Sequence, residues 1–300
     1  MNGGDVPCQN LKIEQSNMRR AGRAGERPLH FTSSGRPLYG AFHPAATAGC
    51  KDRVLVFCHS LGIEHMVTQR MVTLGARVSA NAGFAAFRYD SRAHGDSAGD
   101  PKDVTLTDLV DDACAAADYA RELSGASRII WVGVRFGCFI AAEAMARRDD
   151  AAALALWEPL HQGDDYFRAT VRTMLFCQLA QGERPSATSD DLLKKLETGG
   201  VLPIVGTYIY HPLYRTAHAA DLSCSLQNWG GDTLIAQVQR RPALSTKNER
   251  LRSEIQQRGG KVKVALVGQE PAWSMLPISS PQWTSESLLA DTKEWLYGLE

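Results

Sequence analysis

Residues 127–142 (SRIIWVGVRFGCFIAA) constrain the fold more than any other stretch of this 300-residue chain. The apolar run 128–132 is typical of a buried strand, and the residues from Cys138 onward are typical of a helix. Only residues 133–137 (GVRFG) separate the two. The strand and helix backbones must therefore approach closely, and Gly133 and Gly137 supply the space. Arg135, at the centre of the turn, is predicted to sit on a strained tip beside the helix N-terminus.

Composition excludes several classes of function. The chain has 33 Lys and Arg and 33 Asp and Glu, and this zero net charge argues against a generally basic nucleic-acid surface. The hydrophobic fraction of 44% is ordinary for a globular protein, and no apolar run is long enough to span a bilayer. Residues 1–27 predict a disordered tail and lack the apolar stretch of a signal peptide. We therefore expect a cytoplasmic protein without a nucleic-acid partner.

The cysteines indicate a reducing compartment. The chain has seven of them, with no CxxC pair and no Cys/His cluster at zinc spacing. An odd number in a chain of this length favours free thiols, most of them packed as small apolar residues. We expect neither a metal site nor a cofactor.

Strands and helices alternate along most of the chain, which predicts a mainly parallel sheet covered on both faces. A hairpin comes first, in residues 29–43, and it turns at Ser34-Gly35-Arg36. The predicted strands that follow are residues 53–58, 84–87, 128–132, 151–157, 232–238 and 262–267. The predicted helices are residues 66–82, 107–123, 138–145, 164–180, 190–198, 248–258 and 285–299.

Two polar loops follow the strands 53–58 and 84–87. The first is residues 59–62 (HSLG), and the second is residues 88–99 (RYDSRAHGDSAG). In the second loop we interpret Asp90, Arg92 and His94 as residues that fix the backbone, since the glycines permit its turns.

The order of elements and three loops, HSLG, DSRAHGDSAG and GVRFG, resemble the α/β-hydrolase superfamily from about residue 28 to the C-terminus. Within it, the chain is similar to the exosortase A system-associated hydrolase 2 group, relatives of the serine aminopeptidase-like lipases. The matching stretches are GRPLYGAFHP, MVTQRMVTLGARVSANAGFAAFRYD to GDSAGD, WVGVRFGCFIAAEA and LWEPLHQGDDYFRATVR. That group is associated with bacterial exopolysaccharide and protein-sorting loci. It also tends to have Arg at the position of Arg135, in the sharp strand-to-helix turn that carries the nucleophile in this fold and is called the nucleophile elbow.

The resemblance implies an α/β-hydrolase fold, with a mostly parallel central sheet flanked by helices and a helical cap. The core is expected in residues 28–159 and 228–300, and the cap in residues 160–227, where helical segments alternate with Gly, Pro and aromatic residues. Pocket residues are implied around the oxyanion hole, which binds the negatively charged oxygen of a reaction intermediate: His59, Ser60, Leu61 and Phe136.

At two of the three catalytic-triad positions of this fold, the chain lacks a residue that can do the chemistry. Arginine stays protonated and cannot attack a carbonyl, so Arg135 is no nucleophile. The loop after the last strand, residues 268–273, lacks the expected histidine, and no histidine follows His218. Glu158, at the end of strand 151–157, is the best-placed carboxylate. Two independent losses argue against ester or amide hydrolysis by this mechanism.

Other nucleophiles and bases have weaker support. Cys58 and Cys138 are expected to be buried packing residues. Ser60 lies beside His59, but a Ser-His dipeptide does not by itself point the two side chains at each other. His161 and His211 could act as bases from the cap, although a polar structural role is favoured for both.

Arg135 can act in one of two ways. It can bind a carboxylate or phosphate group at the helix N-terminus, or it can pair internally with Glu158 or Glu270. An unpaired buried arginine is very costly, so one of the two must hold. An internal pair is favoured because carboxylates follow both adjacent strands.

The leading hypothesis is a catalytically degenerate hydrolase-like protein. It would bind a small anionic or acylated ligand in a bacterial biosynthetic pathway, with exopolysaccharide synthesis as the suggested setting. One alternative is an ester or thioester hydrolase, or an acyltransferase, with a displaced nucleophile. Another alternative is a scaffold subunit. A homodimer is compatible with each of these hypotheses.

Overall fold

The central feature of the fold is an eight-stranded sheet in the order β1-β2-β4-β3-β5-β6-β9-β10. Strands β1, β2 and β4 pair antiparallel, and the remaining neighbours pair parallel. The strands are β1 (Arg27–Ser33), β2 (Arg36–His43), β3 (Arg53–Cys58), β4 (Ala85–Tyr89), β5 (Arg128–Val134), β6 (Ala151–Trp157), β9 (Asp232–Gln239) and β10 (Val262–Gly268), with a separate hairpin of β7 (Val201–Ile204) and β8 (Thr207–Tyr210). The mainly parallel sheet predicted from the sequence is confirmed.

The computed structural model describes residues 25–46, 49–204, 206–241, 243–271, 273 and 284–299. Of the predicted tail, residues 1–24 lie outside this set. Its last residues belong to the fold, because Arg27 begins β1 and Glu26 pairs with Arg77 at 2.8 Å and with Arg88 at 2.7 Å.

Nine α-helices occur in the described part of the chain, and none of them combines the length and apolar character that a bilayer crossing requires. They are α1 (Gly62–Asn81), α2 (Leu106–Ser124), α3 (Gly137–Ala146), α4 (Gly163–Ala180), α5 (Ser189–Glu197), α6 (His211–Ala217), α7 (Leu222–Ser225), α8 (Thr246–Gln257) and α9 (Glu286–Tyr297). Helix α2 starts where its sequence dictates, since Thr105 and Asp108 form a reciprocal capping box.

The two faces of the sheet are covered by different helices. One apolar cluster joins α1 and α9 to one face, through residues such as Met71 and Trp295. The other cluster joins α2, α3 and α8 to the opposite face, and it extends into the segment predicted as a cap, where Phe167 is fully buried. Strands β3, β5 and β6 run between these layers, and their continuous apolar runs suit burial on both faces.

The segment predicted as a cap, residues 160–227, contains α4 to α7 and the β7–β8 hairpin. The division of the chain into core and cap stays a prediction.

Helix α1 begins four residues earlier than predicted, at Gly62 instead of Met66. Gly62 takes φ +54° at this start, a conformation that glycine adopts readily. The earlier start places Glu64 and His65 in the first turn of the helix, at the carboxyl edge of the sheet.

Acid is expected to destabilise the fold through His43. Burial lowers the pKa of His43 from 6.5 to about 4, and the nearby Arg88 and Arg77 add to this against the opposing effect of Glu26. Below pH about 6.5, His43 is protonated in the unfolded chain but stays neutral in the folded protein. The free energy of unfolding therefore falls as the pH drops toward 4. The loss at pH 4 is up to about 3 kcal/mol.

Urea unfolding of wild type and His43→Gln between pH 4 and 7 checks this. Glutamine can still accept the hydrogen bond that Arg88 Nε donates to His43 Nε2 at 3.2 Å. The variant should lose less stability on acidification, whereas the exposed His30→Gln should behave as wild type. Equal acid sensitivity in all three proteins would contradict the prediction.

Candidate functional site

The turn between β5 and α3 has the predicted elbow geometry. Arg135 has φ +53°, which is strained for a residue with a side chain. A Cβ on Gly137 would lie 2.1 Å from the Cys58 carbonyl oxygen, and one on Gly133 would lie 2.5 Å from Cys138 Cα. Both glycines are therefore required by the close approach of β3, β5 and α3.

Arg135 is paired inside the protein with Glu64. Its Nη2 donates to Glu64 Oε1 at 2.9 Å, and its Nε donates to the same oxygen at 3.3 Å. The exposed fractions of the two side chains are 13% and 3%. Burial by itself would lower the pKa of Arg135, but the adjacent Glu64 carboxylate raises it above the ordinary value. The pair is therefore ionic, and Glu64 neutralises the charge of Arg135.

The predicted partners of Arg135 were wrong. Glu158 accepts a hydrogen bond from the Val238 backbone N–H at 2.5 Å, and burial raises the pKa of its carboxyl group. Glu158 acts on Arg135 only as a nearby charge. Glu270 is exposed and pairs with Arg240. Glu64 was missed because the HSLG stretch was interpreted as a loop, which hid the first turn of α1.

Ser60 connects this ion pair to the oxyanion position. Its hydroxyl donates to Glu64 Oε2 at 2.5 Å and accepts from the Phe136 backbone N–H at 3.4 Å. Phe136 follows the elbow residue, and in this fold such an N–H stabilises the oxyanion. Here that donor faces a buried serine hydroxyl, since Ser60 is only 1% exposed. A chain of contacts from Arg135 through Glu64 and Ser60 to Phe136 therefore fills the corner of the fold that holds the nucleophile and the oxyanion hole in a hydrolase.

Among the described residues, the Ser60 hydroxyl is hydrogen-bonded to Glu64 and to the Phe136 backbone N–H, and no histidine completes a triad with it. His161 Nε2 lies 2.8 Å from Asn248 Oδ1, and His211 Nδ1 lies 2.7 Å from the Leu196 carbonyl oxygen. Neither ring is hydrogen-bonded to Ser60 in the described part of the chain, so neither is placed to act as its general base.

His59, the neighbour of Ser60 in sequence, is not placed to act as its base. Its ring stacks on His65 with centroids 4.6 Å apart. Burial, followed by the neighbouring His65, lowers the pKa of His59 well below 6.5. The dipeptide His59-Ser60 therefore supplies no nucleophile–base pair.

The thiols of Cys58 and Cys138 are both fully buried, as expected. Burial raises the pKa of Cys58 to about 12 and raises that of Cys138 well above its ordinary value. A thiol attacks as the thiolate, so neither residue is a nucleophile near neutral pH.

A cavity of about 390 Å³ lies beside this corner, between α1, the loop after β4 and the segment 160–227. Its described lining is mostly apolar and carries no Lys, Arg, Asp or Glu: Leu61, Gly62, Ile63, His65, Met66, Gln69, Ala93, His94, Gly95, Pro101, Val104, Tyr166, Thr170, Gly206, Thr207, Tyr208, Ile209, Tyr210 and Leu213. Burial raises the pKa of Tyr166, so its phenol remains a neutral hydrogen-bonding group. Of the residues implied for the pocket, Leu61 lines this cavity, whereas His59, Ser60 and Phe136 are absent from the lining, as is Arg135.

Comparisons with known proteins agree with this architecture. The family model described as serine aminopeptidase, S33, matches residues 49–189. No curated protein matches the sequence.

Solved structures show a similar fold at low sequence identity. Est1E from Butyrivibrio proteoclasticus with bound ferulic acid is 17% identical, with a TM-score of 0.64 over 90% of this chain and 98% of that one. The Pyrococcus furiosus esterase Pf2001 is 12% identical, with a TM-score of 0.63 over 100% of this chain and 96% of that one. The α/β hydrolase GrgF from a Penicillium species is 16% identical, with a TM-score of 0.59 over 91% and 98%. The chain therefore has the α/β-hydrolase fold.

Proposed function

We propose that this chain is a catalytically degenerate hydrolase-like protein that binds a small acylated or otherwise largely apolar molecule. The contact chain Arg135–Glu64–Ser60–Phe136 carries the proposal, because it occupies both the nucleophile position and the oxyanion position. The suggested setting, a bacterial biosynthetic pathway linked to exopolysaccharide, rests on the sequence resemblance alone.

The chemistry of the cavity supports a neutral ligand over an anionic one. Arg135 is neutralised by Glu64 at 2.9 Å, so it offers no free charge to a carboxylate or phosphate. The lining presents apolar side chains with a few neutral polar groups, among them Tyr166, Gln69 and Thr207. A volume of about 390 Å³ falls in the range of ordinary small-molecule sites. An acyl chain with an ester or amide head group matches this surface.

One observation favours a second function, an acyl hydrolase or acyltransferase with a displaced nucleophile. The Ser60 hydroxyl donates to a carboxylate at 2.5 Å, and Leu61, next to it, lines an open cavity. Glu64 is already engaged, however, because its Oε1 accepts hydrogen bonds from both Nε and Nη2 of Arg135. Ser60 is the nucleophile that this alternative requires.

Turnover of nitrophenyl esters and acyl thioesters of short and medium chain length separates the two functions. We expect wild type, Arg135→Ala and Ser60→Ala all to remain at the background rate. Wild-type turnover that Ser60→Ala abolishes would establish the second function and overturn the first.

Binding is measured on the same proteins with non-hydrolysable acyl amides. Ligands that bind the native state raise the melting temperature, so wild type should gain stability. Met66→Trp, at a lining residue that is 55% exposed, should blunt the gain by crowding the cavity mouth. Leu179→Trp, equally exposed but outside the lining, should not. A gain that is the same in all three proteins would place the ligand elsewhere.

A further inference from the structure

A second cluster of chemically active side chains lies at the carboxyl edge of the sheet, separate from the Arg135 pair. His59 follows β3, His65 lies in the first turn of α1, and Asp90 follows β4. Strands β3 and β4 are neighbours, so the three side chains converge although their spacing in sequence matches no metal-binding motif. One ligand atom from each residue lies within 4.8 Å of those from the other two.

The cluster is buried, and one of its polar atoms lacks a hydrogen-bond partner. His59, His65 and Asp90 are 5%, 7% and 5% exposed. The His59 Nδ1 is buried without a hydrogen-bond partner among the described residues. Asp90 Oδ1 lies 3.3 Å from His65 Nε2. A buried imidazole nitrogen without a partner is costly unless something satisfies it.

The neighbouring charged and aromatic side chains do not occupy the ligand atoms of this cluster, although the Asp96 backbone N–H donates a hydrogen bond to the Asp90 carboxylate. Arg92, on the same loop as Asp90, is bound by Asp108 and Asp112 and so does not neutralise Asp90. His94 stacks on His65 with centroids 5.5 Å apart, but its Nδ1 lies 3.0 Å from the Arg92 carbonyl oxygen. The chemistry available at the centre is therefore two imidazoles and one carboxylate.

Two imidazoles and one carboxylate form a donor set that zinc and similar divalent transition metals use in open sites. We propose that His59, His65 and Asp90 bind one divalent transition-metal ion of the zinc class. Ligand atoms around tetrahedral zinc lie about 3.3 Å apart, given bonds of about 2.0 Å. His65 Nε2 and Asp90 Oδ1 already lie at that separation, at 3.3 Å, so the His59 ring is the one that must turn toward the other two ligands. Since His65 also lines the cavity, the ion would lie beside the proposed ligand site.

The test is metal binding itself, independent of any ester turnover. The chelator-treated wild-type chain is titrated with Zn²⁺ by calorimetry and with Co²⁺ by visible absorption. We expect one equivalent to bind with micromolar or tighter affinity, together with the intense d–d bands of a low-symmetry cobalt site. His59→Gln and Asp90→Asn should each weaken binding by at least about 100-fold, because each removes a direct ligand. His94→Gln is the matched control from the same histidine stack, and it should bind as wild type.

Three outcomes would overturn the proposal. The first is no binding to wild type below about 100 µM. The second is equal binding to wild type, His59→Gln and Asp90→Asn. The third is a cobalt–thiolate charge-transfer band, which would place the ion on cysteine. If the variants fail to fold, X-ray absorption of zinc-loaded wild type decides: imidazole scattering supports the proposal, and its absence contradicts it.

Discussion

Glu64→Gln is expected to lower the free energy of unfolding by about 3–5 kcal/mol, because it removes the only carboxylate that is hydrogen-bonded to the buried guanidinium of Arg135 among the described residues. Glutamine keeps the shape of Glu64 and can still accept one hydrogen bond, so the loss reports mainly on charge. The Arg135 side chain is only 13% exposed, and water cannot replace the lost carboxylate. Denaturant unfolding at neutral pH measures the effect.

A double-mutant cycle separates the ion pair from general damage. Removing both charges, in Glu64→Gln/Arg135→Met, should recover most of the stability, since replacing a buried ion pair by neutral groups is often close to neutral. Glu158→Gln is the matched control, because Glu158 is buried near Arg135 but bonds to Val238 instead. A loss under about 1 kcal/mol for Glu64→Gln, or single losses that simply add in the double variant, would contradict the assignment.

Gly137→Ala is expected to cost more than about 4 kcal/mol, or to prevent folding, because overpacking here has no flexible neighbour to absorb it. The added methyl group would meet backbone atoms, with Cys58 O at 2.1 Å and His59 O at 2.7 Å. The first atom belongs to the last residue of β3 and the second to the residue after it, so they can move only if the sheet edge and the HSLG stretch move with them. Thermal unfolding, or the yield of folded protein, measures the loss.

The control for Gly137→Ala is Gly182→Ala. Gly182 has φ +80° and no atom within 4 Å of an added Cβ, so it tests backbone strain without crowding. That strain costs about 1–2 kcal/mol. Equal losses at the two positions would show that the close approach of β3 and α3 does not govern the elbow.

The sequence predicts the sheet and the elbow well because both depend on local patterns. Strands 53–58 and 151–157 were predicted at their observed bounds, since short β-branched and apolar runs between turn signals have few other structures open to them. The strained conformation of Arg135 follows in the same way from its position between two glycines.

The interior of the site depends on contacts that no local pattern encodes. An internal partner for Arg135 was expected on physical grounds, but its identity required the start of α1. A helix that begins at a glycine with positive φ gives no capping signal in its sequence, because the N-cap is Leu61 and makes no side-chain cap. The start of α1 at Gly62 is what places Glu64 in the first turn of the helix.

The cluster of His59, His65 and Asp90 likewise cannot be predicted from local sequence patterns. Its three members are separated in sequence and meet only because β3 and β4 pair side by side. The available signal was positional: His59 and Asp90 each follow a predicted strand, and carboxyl ends of parallel strands meet at one edge. The position of Asp90 in a glycine-rich loop predicts a backbone-fixing role equally well, so this signal does not single out a metal site.

Labelling with a fluorophosphonate, which reacts covalently with activated serines, tests the central claim most directly. Intact-mass measurement of wild type and Ser60→Ala after prolonged exposure should show no adduct on either protein, because Arg135 replaces the nucleophile and Glu64 and Phe136 hold Ser60. A stoichiometric adduct on wild type that Ser60→Ala abolishes would contradict the claim and identify Ser60 as an active nucleophile.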